Sequence, residues 1–251
     1  MTRTAKLHAV VLRTVDYGER DRVVTLFSRE RGKLSAFARG ARSSRRRFGG
    51  ALEPFTLLSV EVAERGGDLW VLESASVDRG FGAVRGDLTR IACASYAVEL
   101  ARELVRDAEP HDDLFASLVD YLAALDLAPA RPWDLRRFEL DALRAAGLQP
   151  SLDGCARCGR PAGEGILRFD PAEGGVLCAA CAPTGGAGSR AIEAPVLAAL
   201  RRIARGEEAG AGEAEAARAR ALLGACLEYH LGKRLQSRRF LDEVGPFLSR
   251  G

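Results

Sequence analysis

From Asp87 onward the apolar residues of this chain stop alternating and begin to recur every third or fourth position. That change of period divides the fold. Before it lie five short runs rich in Val, Leu, Phe and Thr: Leu7–Val15, Arg22–Ser28, Lys33–Arg39, Phe55–Ala63 and Leu69–Val77. Asp16-Tyr17-Gly18-Glu19, Arg31-Gly32 and Gly66-Gly67 separate them as turns, and Gly40 to Glu53 forms a longer loop. After it, Ile91, Ala94, Val98, Ala101 and Val105 line one helical face, and Leu114, Leu118, Tyr121, Leu122 and Leu125 line a second. Pro132 opens a third helix with Leu135, Phe138, Ala142 and Leu143 inward, stopped at Gly147. Two more helices are expected at about Ala194–Arg205 and Glu213–Lys233, after a flexible link, Thr184 to Ser189.

Five strands in so few residues are too few for an immunoglobulin-type sandwich and suit a small closed barrel. The five-stranded oligonucleotide-binding (OB) barrel is the first candidate, and an SH3-like barrel has a similar strand count. The expected class is therefore α+β. An OB-type barrel occupies residues 1–80, and a helical domain follows over 81–251 with an insertion at 151–183.

The insertion carries the sharpest chemical signal, Cys155-x2-Cys158-x19-Cys178-x2-Cys181. Each Cys-x-x-Cys turn puts two thiolates on one side of a knuckle, and two knuckles complete a tetrahedron around Zn²⁺. The spacer is long enough for a hairpin, Ile166–Phe169 against Val176–Leu177. Four thiolates leave no open position for water, so the ion is expected to be structural. His8, His111 and His230 show no ligand-like spacing, and Cys93 and Cys226 fall in apolar helical patterns as core residues.

Net charge is only +3, but residues 1–50 carry +9 and the remainder −6. A basic N-terminal part suggests a polyanionic partner. The loop Arg39-Gly-Ala-Arg-Ser-Ser-Arg-Arg-Arg-Phe48 holds five arginines and no acid. Guanidinium groups suit phosphate because their fork donates two parallel hydrogen bonds. Strand alternation places Lys33, Ser35, Phe37 and Arg39 on one face and turns Leu34, Ala36 and Ala38 inward. The candidate nucleic-acid residues are thus Lys33, Phe37, Arg39, Arg42, Arg45, Arg46 and Arg47, with a second basic set at Lys233, Arg234, Arg238 and Arg239. Phe37 either stacks a base or packs half-buried. The second set also has a plain explanation, since cations favour a helix C-terminus.

No Gly-x4-Gly-Lys-Ser/Thr phosphate loop is present: Leu follows Gly32-Lys33 and Arg follows Gly232-Lys233. A protein acting by binding energy, without catalysis, is expected. A zinc-dependent nuclease and an RNA-binding OB module are the alternatives. No apolar run approaches the ~20 residues of a membrane helix, and the start lacks a signal-peptide pattern, so a cytoplasmic protein is expected.

The order and spacing of several segments resemble the RecO family of recombination mediators over nearly the whole chain. They are Ala9–Val15, Gly18-Glu19, Leu26-Phe27, Gly32-Lys33-Leu34, Ala38-Arg39-Gly40-Ala41-Arg42 and Phe48 to Phe55. Further along come Arg137-Phe138-Glu139-Leu140, Gly147-Leu148-Gln149-Pro150, Cys155 to Gly159, His230-Leu231-Gly232-Lys233 and Ser237 to Leu241. The resemblance implies an OB domain, a helical domain and an embedded zinc knuckle. It also implies binding of single- and double-stranded DNA and annealing of complementary strands at the nucleoid. With RecR and single-stranded-DNA-binding protein (SSB), such proteins help load RecA in RecF-pathway repair. The family's DNA-binding cations fall on Lys33, Arg39, Arg42 and Arg45 to Arg47.

Overall fold

The computed structural model describes residues 3–48, 50–64, 69–161, 167–182 and 188–244. The Gly66-Gly67 turn and most of the Thr184–Ser189 link lie outside the described residues. The chain divides into two compact units, Met1–Pro129 and Ala130–Gly251.

The first unit begins with β1 (Arg3–Tyr17), β2 (Asp21–Ser28) and β3 (Gly32–Ala38), then a short helix α1 (Arg45–Phe48), then β4 (Leu57–Glu64) and β5 (Leu69–Arg79). The strands close into a barrel in the order β1-β2-β3-β5-β4. β1 is long enough to serve two neighbours: Arg3–Val10 pairs with β4 and Ala9–Tyr17 with β2. A bulge between Val11 and Arg13 marks where it turns from one to the other. The β3–β5 pair is parallel and closes the barrel through Ser35↔Leu69, Ala36↔Trp70 and Phe37↔Val71. Of the two barrels that the strand count allowed, this is the OB-like one.

The barrel core is filled by alternate residues, among them Leu7, Val24, Leu26, Leu34, Ala36, Ala38, Leu58 and Val62. Phe48, Ala51 and Leu52 join them. The segment from Gly40 to Glu53, expected as a loop, therefore contains a helical turn and sends an apolar plug into the barrel. The plug forms because Phe48, Ala51 and Leu52 gain from leaving water.

The helices α2 (Gly82–Arg85), α3 (Leu88–Leu104) and α4 (Asp112–Leu127) complete the unit, which runs past the residue-80 limit drawn for the barrel. Asp87 caps α3, its carboxylate accepting the Arg90 N–H at 2.8 Å. α3 buries more than the single stripe read from its sequence: Ala92, Cys93, Tyr96, Ala97 and Leu100 are also interior. The α3–α4 connection docks on the start of β3, where the Ala108 N–H donates to the Lys33 carbonyl at 2.9 Å.

The second unit contains α5 (Pro132–Ala145), β6 (Leu167–Asp170), β7 (Gly175–Leu177), β8 (Arg190–Ile192), α6 (Ala194–Ala204), α7 (Glu213–Leu231) and α8 (Gln236–Val244). α5 packs on α6 and α7 and ends before Gly147, whose φ is +71°. Its apolar stripe is as expected, but Arg136 and Glu139 are also buried, as an ion pair 2.7 Å apart. Cys226 is buried as well, and burial pushes its thiol up to about 11. The expected hairpin is present as β6 against β7, through Phe169↔Val176 and Arg168↔Leu177, and β8 adds a third strand on the other edge of β6. α8 follows Gly232, a left-handed stop after α7. Arg238 on α8 lies over Gly224 of α7, in space that a Cβ at that position would fill.

Candidate nucleic-acid interface and metal centre

The chain between β1 and β2 and the loop after β3 are tied together by hydrogen bonds to the loop's backbone. The Asp21 carboxylate accepts the Gly40 N–H at 2.7 Å, and the Arg42 N–H donates to the Arg20 carbonyl at 3.1 Å. At its far end the same loop is held by the buried Phe48 and Leu52. The arginine run is thus pinned at both ends to the barrel.

Within it the guanidinium groups differ. Arg39 is exposed and makes no ion pair among the described residues, while its carbonyl accepts a hydrogen bond from Arg47. Arg47 also lies over the Phe48 ring, 5.0 Å from its centroid. Arg42 sits 3.9 Å from Asp16, which is bound more closely by Arg22 at 3.0 Å. The backbones of Arg45 and Arg46 form α1, and their side chains lie outside the described part of the structure. Arg20, also exposed and without an ion pair among the described residues, belongs beside this group. Sequence reasoning passed over it because Glu19, Asp21 and Arg22 surround it and the local charge averages out.

Lys33 is placed differently from the expectation. Its ammonium donates to the Arg102 carbonyl at 2.9 Å and lies 3.3 Å from Asp107, with the side chain only 19 % exposed. Alternation does put it on the outer face of β3, but α3 and the connection after it cover that end. Lys33 ties the barrel to the helices instead of standing open with Arg39. Phe37 remains uncovered at the other end of the strand, half-buried and edge-to-face with Tyr17, 5.7 Å between centroids.

The second basic set belongs to the other unit and is largely balanced by acids. Arg234 lies 2.5 Å from Asp242 and 3.6 Å from Glu228, and Arg239 lies 3.2 Å from Glu243. Arg238 is a packing residue, 13 % exposed, donating to the Arg220 carbonyl at 3.3 Å. Lys233 is exposed at the end of α7.

The four cysteines come together as their spacing requires. Their sulfurs all lie within 4.8 Å of one another, the one such group of ligand side chains among the described residues. The Cys158 and Cys178 sulfurs are 3.9 Å apart. That is far beyond a disulfide, and it matches the ~3.8 Å edge of a tetrahedron with metal–sulfur bonds of about 2.3 Å. Each knuckle is held by its own backbone. Gly159 N–H donates to the Cys155 carbonyl at 2.8 Å with φ +70°, and Ala182 N–H donates to the Cys178 carbonyl at 2.9 Å. Arg157 cross-links the two, bonding the Cys181 carbonyl at 3.1 Å and the Glu173 carboxylate in the β6–β7 turn.

The thiols respond unequally to this crowding. Hydrogen bonds from the backbones of Cys178 and Cys158 pull Cys155 down to about 6. The neighbouring Cys158 and Cys178 sulfurs, followed by burial, push Cys181 up to about 12. A second thiolate beside the first is opposed by repulsion, and a divalent cation at the centre removes that opposition. The donor set therefore fits a metal ion.

An OB-like barrel bearing a pinned arginine loop, followed by helices and an embedded four-cysteine cluster, is the class of protein that the fold and the site define. The comparisons narrow it. Residues 1–81 match the model for the recombination protein O N terminal region, and residues 85–239 match that for its C terminal region. The chain is 66 % identical over 250 residues to a DNA repair protein RecO of Anaeromyxobacter dehalogenans (strain 2CP-1), covering 97 % of this chain and 98 % of the relative. It is 48 % identical over 237 residues to that of Myxococcus xanthus, covering 94 % and 96 %. To that of Geobacter sulfurreducens it is 40 % identical over 249 residues, covering 96 % and 98 %. The chain belongs to the RecO family of DNA repair proteins. Among the described residues no helix is long and apolar enough to cross a membrane.

Proposed function

We propose that this protein is a mediator of RecF-pathway repair, acting by binding energy and without catalysis in the cytoplasm at the nucleoid. It binds single- and double-stranded DNA, anneals complementary strands and, with RecR, helps load RecA onto SSB-coated single strands. The observation that carries this reading is the arginine loop pinned to the barrel. Arg39, Arg42 and the Arg45–Arg47 run, joined by Arg20, supply cations on a rigid support. Neutralising the phosphates of two strands lowers their repulsion, and base pairing then contributes about 1.4 kcal/mol per stacked step. The relatives' name, DNA repair protein RecO, supports DNA as the polyanion.

The ion held by Cys155, Cys158, Cys178 and Cys181 is assigned as Zn²⁺, in a closed site that stabilises the local fold. Lys233, Arg234 and Arg239 serve as secondary, acid-tempered DNA contacts, and Arg238 supports them by fixing α8. Annealing of complementary oligonucleotides by the purified protein tests the mechanism. Acceleration is expected with no nucleotide added. An absolute requirement for ATP, or no acceleration, contradicts it.

A further inference from the structure

The outer wall of the barrel carries an uncovered apolar row that the phosphate-binding reading leaves unused. Strand register aligns Val15, Val23, Phe37 and Val71 across β1, β2, β3 and β5. Val15 is 43 % exposed, and Tyr17, two residues further along the same face, is 62 % exposed. The Tyr17 ring meets Phe37 edge to face, with an interplanar angle of 84°. Covering a tyrosine ring left this open would gain the free energy of removing its faces from water.

What surrounds the row indicates the occupant. Arg13 precedes Val15 by two residues on the same face of β1, and Arg39 stands in the turn just past Ala38, the last residue of β3, beyond Phe37. Both are exposed and form no ion pair among the described residues, and Arg20 lies just past Tyr17 with the same character. An apolar protein segment would have to leave these guanidinium groups without anions. A duplex would present phosphates but keep its base faces stacked inside. An unpaired strand offers both, with flat base faces for the rings and phosphates for the flanking arginines.

We infer that Tyr17 and Phe37 form a stacking platform for unpaired bases, bordered by Arg13 and Arg39, which makes the barrel favour single strands over duplex. The inference rests on the reading of the barrel as the DNA-binding part and adds a base-dependent, salt-insensitive contribution to it. It also adds Tyr17 and Arg13 to the interface, while Lys33, covered by α3, stays outside it.

The test compares an oligo-dT with a phosphodiester chain of equal length whose sugars carry no bases. The intact protein is expected to bind the dT strand on the order of five- to 100-fold more tightly. Tyr17→Ala with Phe37→Ala is expected to abolish that preference and leave the dependence on salt unchanged. Tyr17→Phe is expected to keep the preference, because the ring is what stacks. Tyr17→Ala alone, at an exposed site, is expected to lower it and keeps the test decisive should loss of the half-buried Phe37 disturb folding. Salt-dependent binding by the intact protein that ignores the bases overturns the platform and leaves the row to a protein partner. Retention of full base preference in the Tyr17→Ala and double variants overturns it equally. Failure of the intact protein to bind either strand overturns the DNA reading itself, and the platform with it.

Discussion

At the residue scale, the segment Gly32-Lys33-Leu34 shows how three adjacent side chains can serve three purposes. Leu34 faces the barrel core, Lys33 reaches the Arg102 carbonyl, and Gly32 admits the α3–α4 connection. A Cβ on Gly32 would stand 2.0 Å from the Glu109 carbonyl oxygen, on a backbone with φ +66°. Gly18 has nearly the same φ, +60°, and nothing within 4 Å of its missing Cβ. Gly32→Ala is therefore expected to cost about 2–4 kcal/mol, since strain and overpacking add, and Gly18→Ala about 1 kcal/mol from strain alone. Urea denaturation of the two variants measures this, and equal losses would contradict the role given to the docking contact. Lys33 also shows where sequence reasoning stops. Alternation correctly puts it on the outer face of β3, but nothing local reveals that a helix some 70 positions later covers the end of that face where Lys33 stands.

At the element scale, the four-cysteine module was legible because its ligands carry their own spacing rule. The 19-residue spacer called for a hairpin, and β6 and β7 form one. β8 was not legible: it is three residues long, beyond the link after Cys181, and gains its strand character only by pairing with β6. α8 was hidden for a related reason. Its Arg238 and Arg239, with Arg234 just before it, look like a basic tail until Asp242 and Glu243 are seen to answer them. Similarly, the plug of Phe48, Ala51 and Leu52 is scattered among glycines and follows an arginine run, so no period betrays it. For the metal module the expected outcome is one zinc per chain by metal analysis of the purified protein. Cys158→Ser with Cys181→Ser is expected to lose that zinc and to become protease-sensitive first within 151–182. Stoichiometric zinc and an unchanged cleavage pattern in that variant would contradict a structural ion.

At the scale of the whole molecule, the charge asymmetry and the change of period were the informative features. They led to a basic barrel and helices, and the barrel's closure and parallel β3–β5 pair agree. The family regions meet between residues 81 and 85, whereas the compact units divide at Pro129 and Ala130, and the α3–α4 connection is bonded to the start of β3 within the first of them. The proposed DNA capture depends on guanidinium groups meeting phosphates at one loop. The direct measurement is single-strand affinity against salt for the intact chain and for one with Arg42, Arg45, Arg46 and Arg47 changed to Ala. With one phosphate neutralised by each of Arg39, Arg42, Arg45, Arg46 and Arg47, the loop is expected to contribute about −3.5 to the logarithmic slope, and the variant's slope is expected to be shallower by about 2.8. A variant that binds as tightly as the intact chain, with the same slope, would contradict the account.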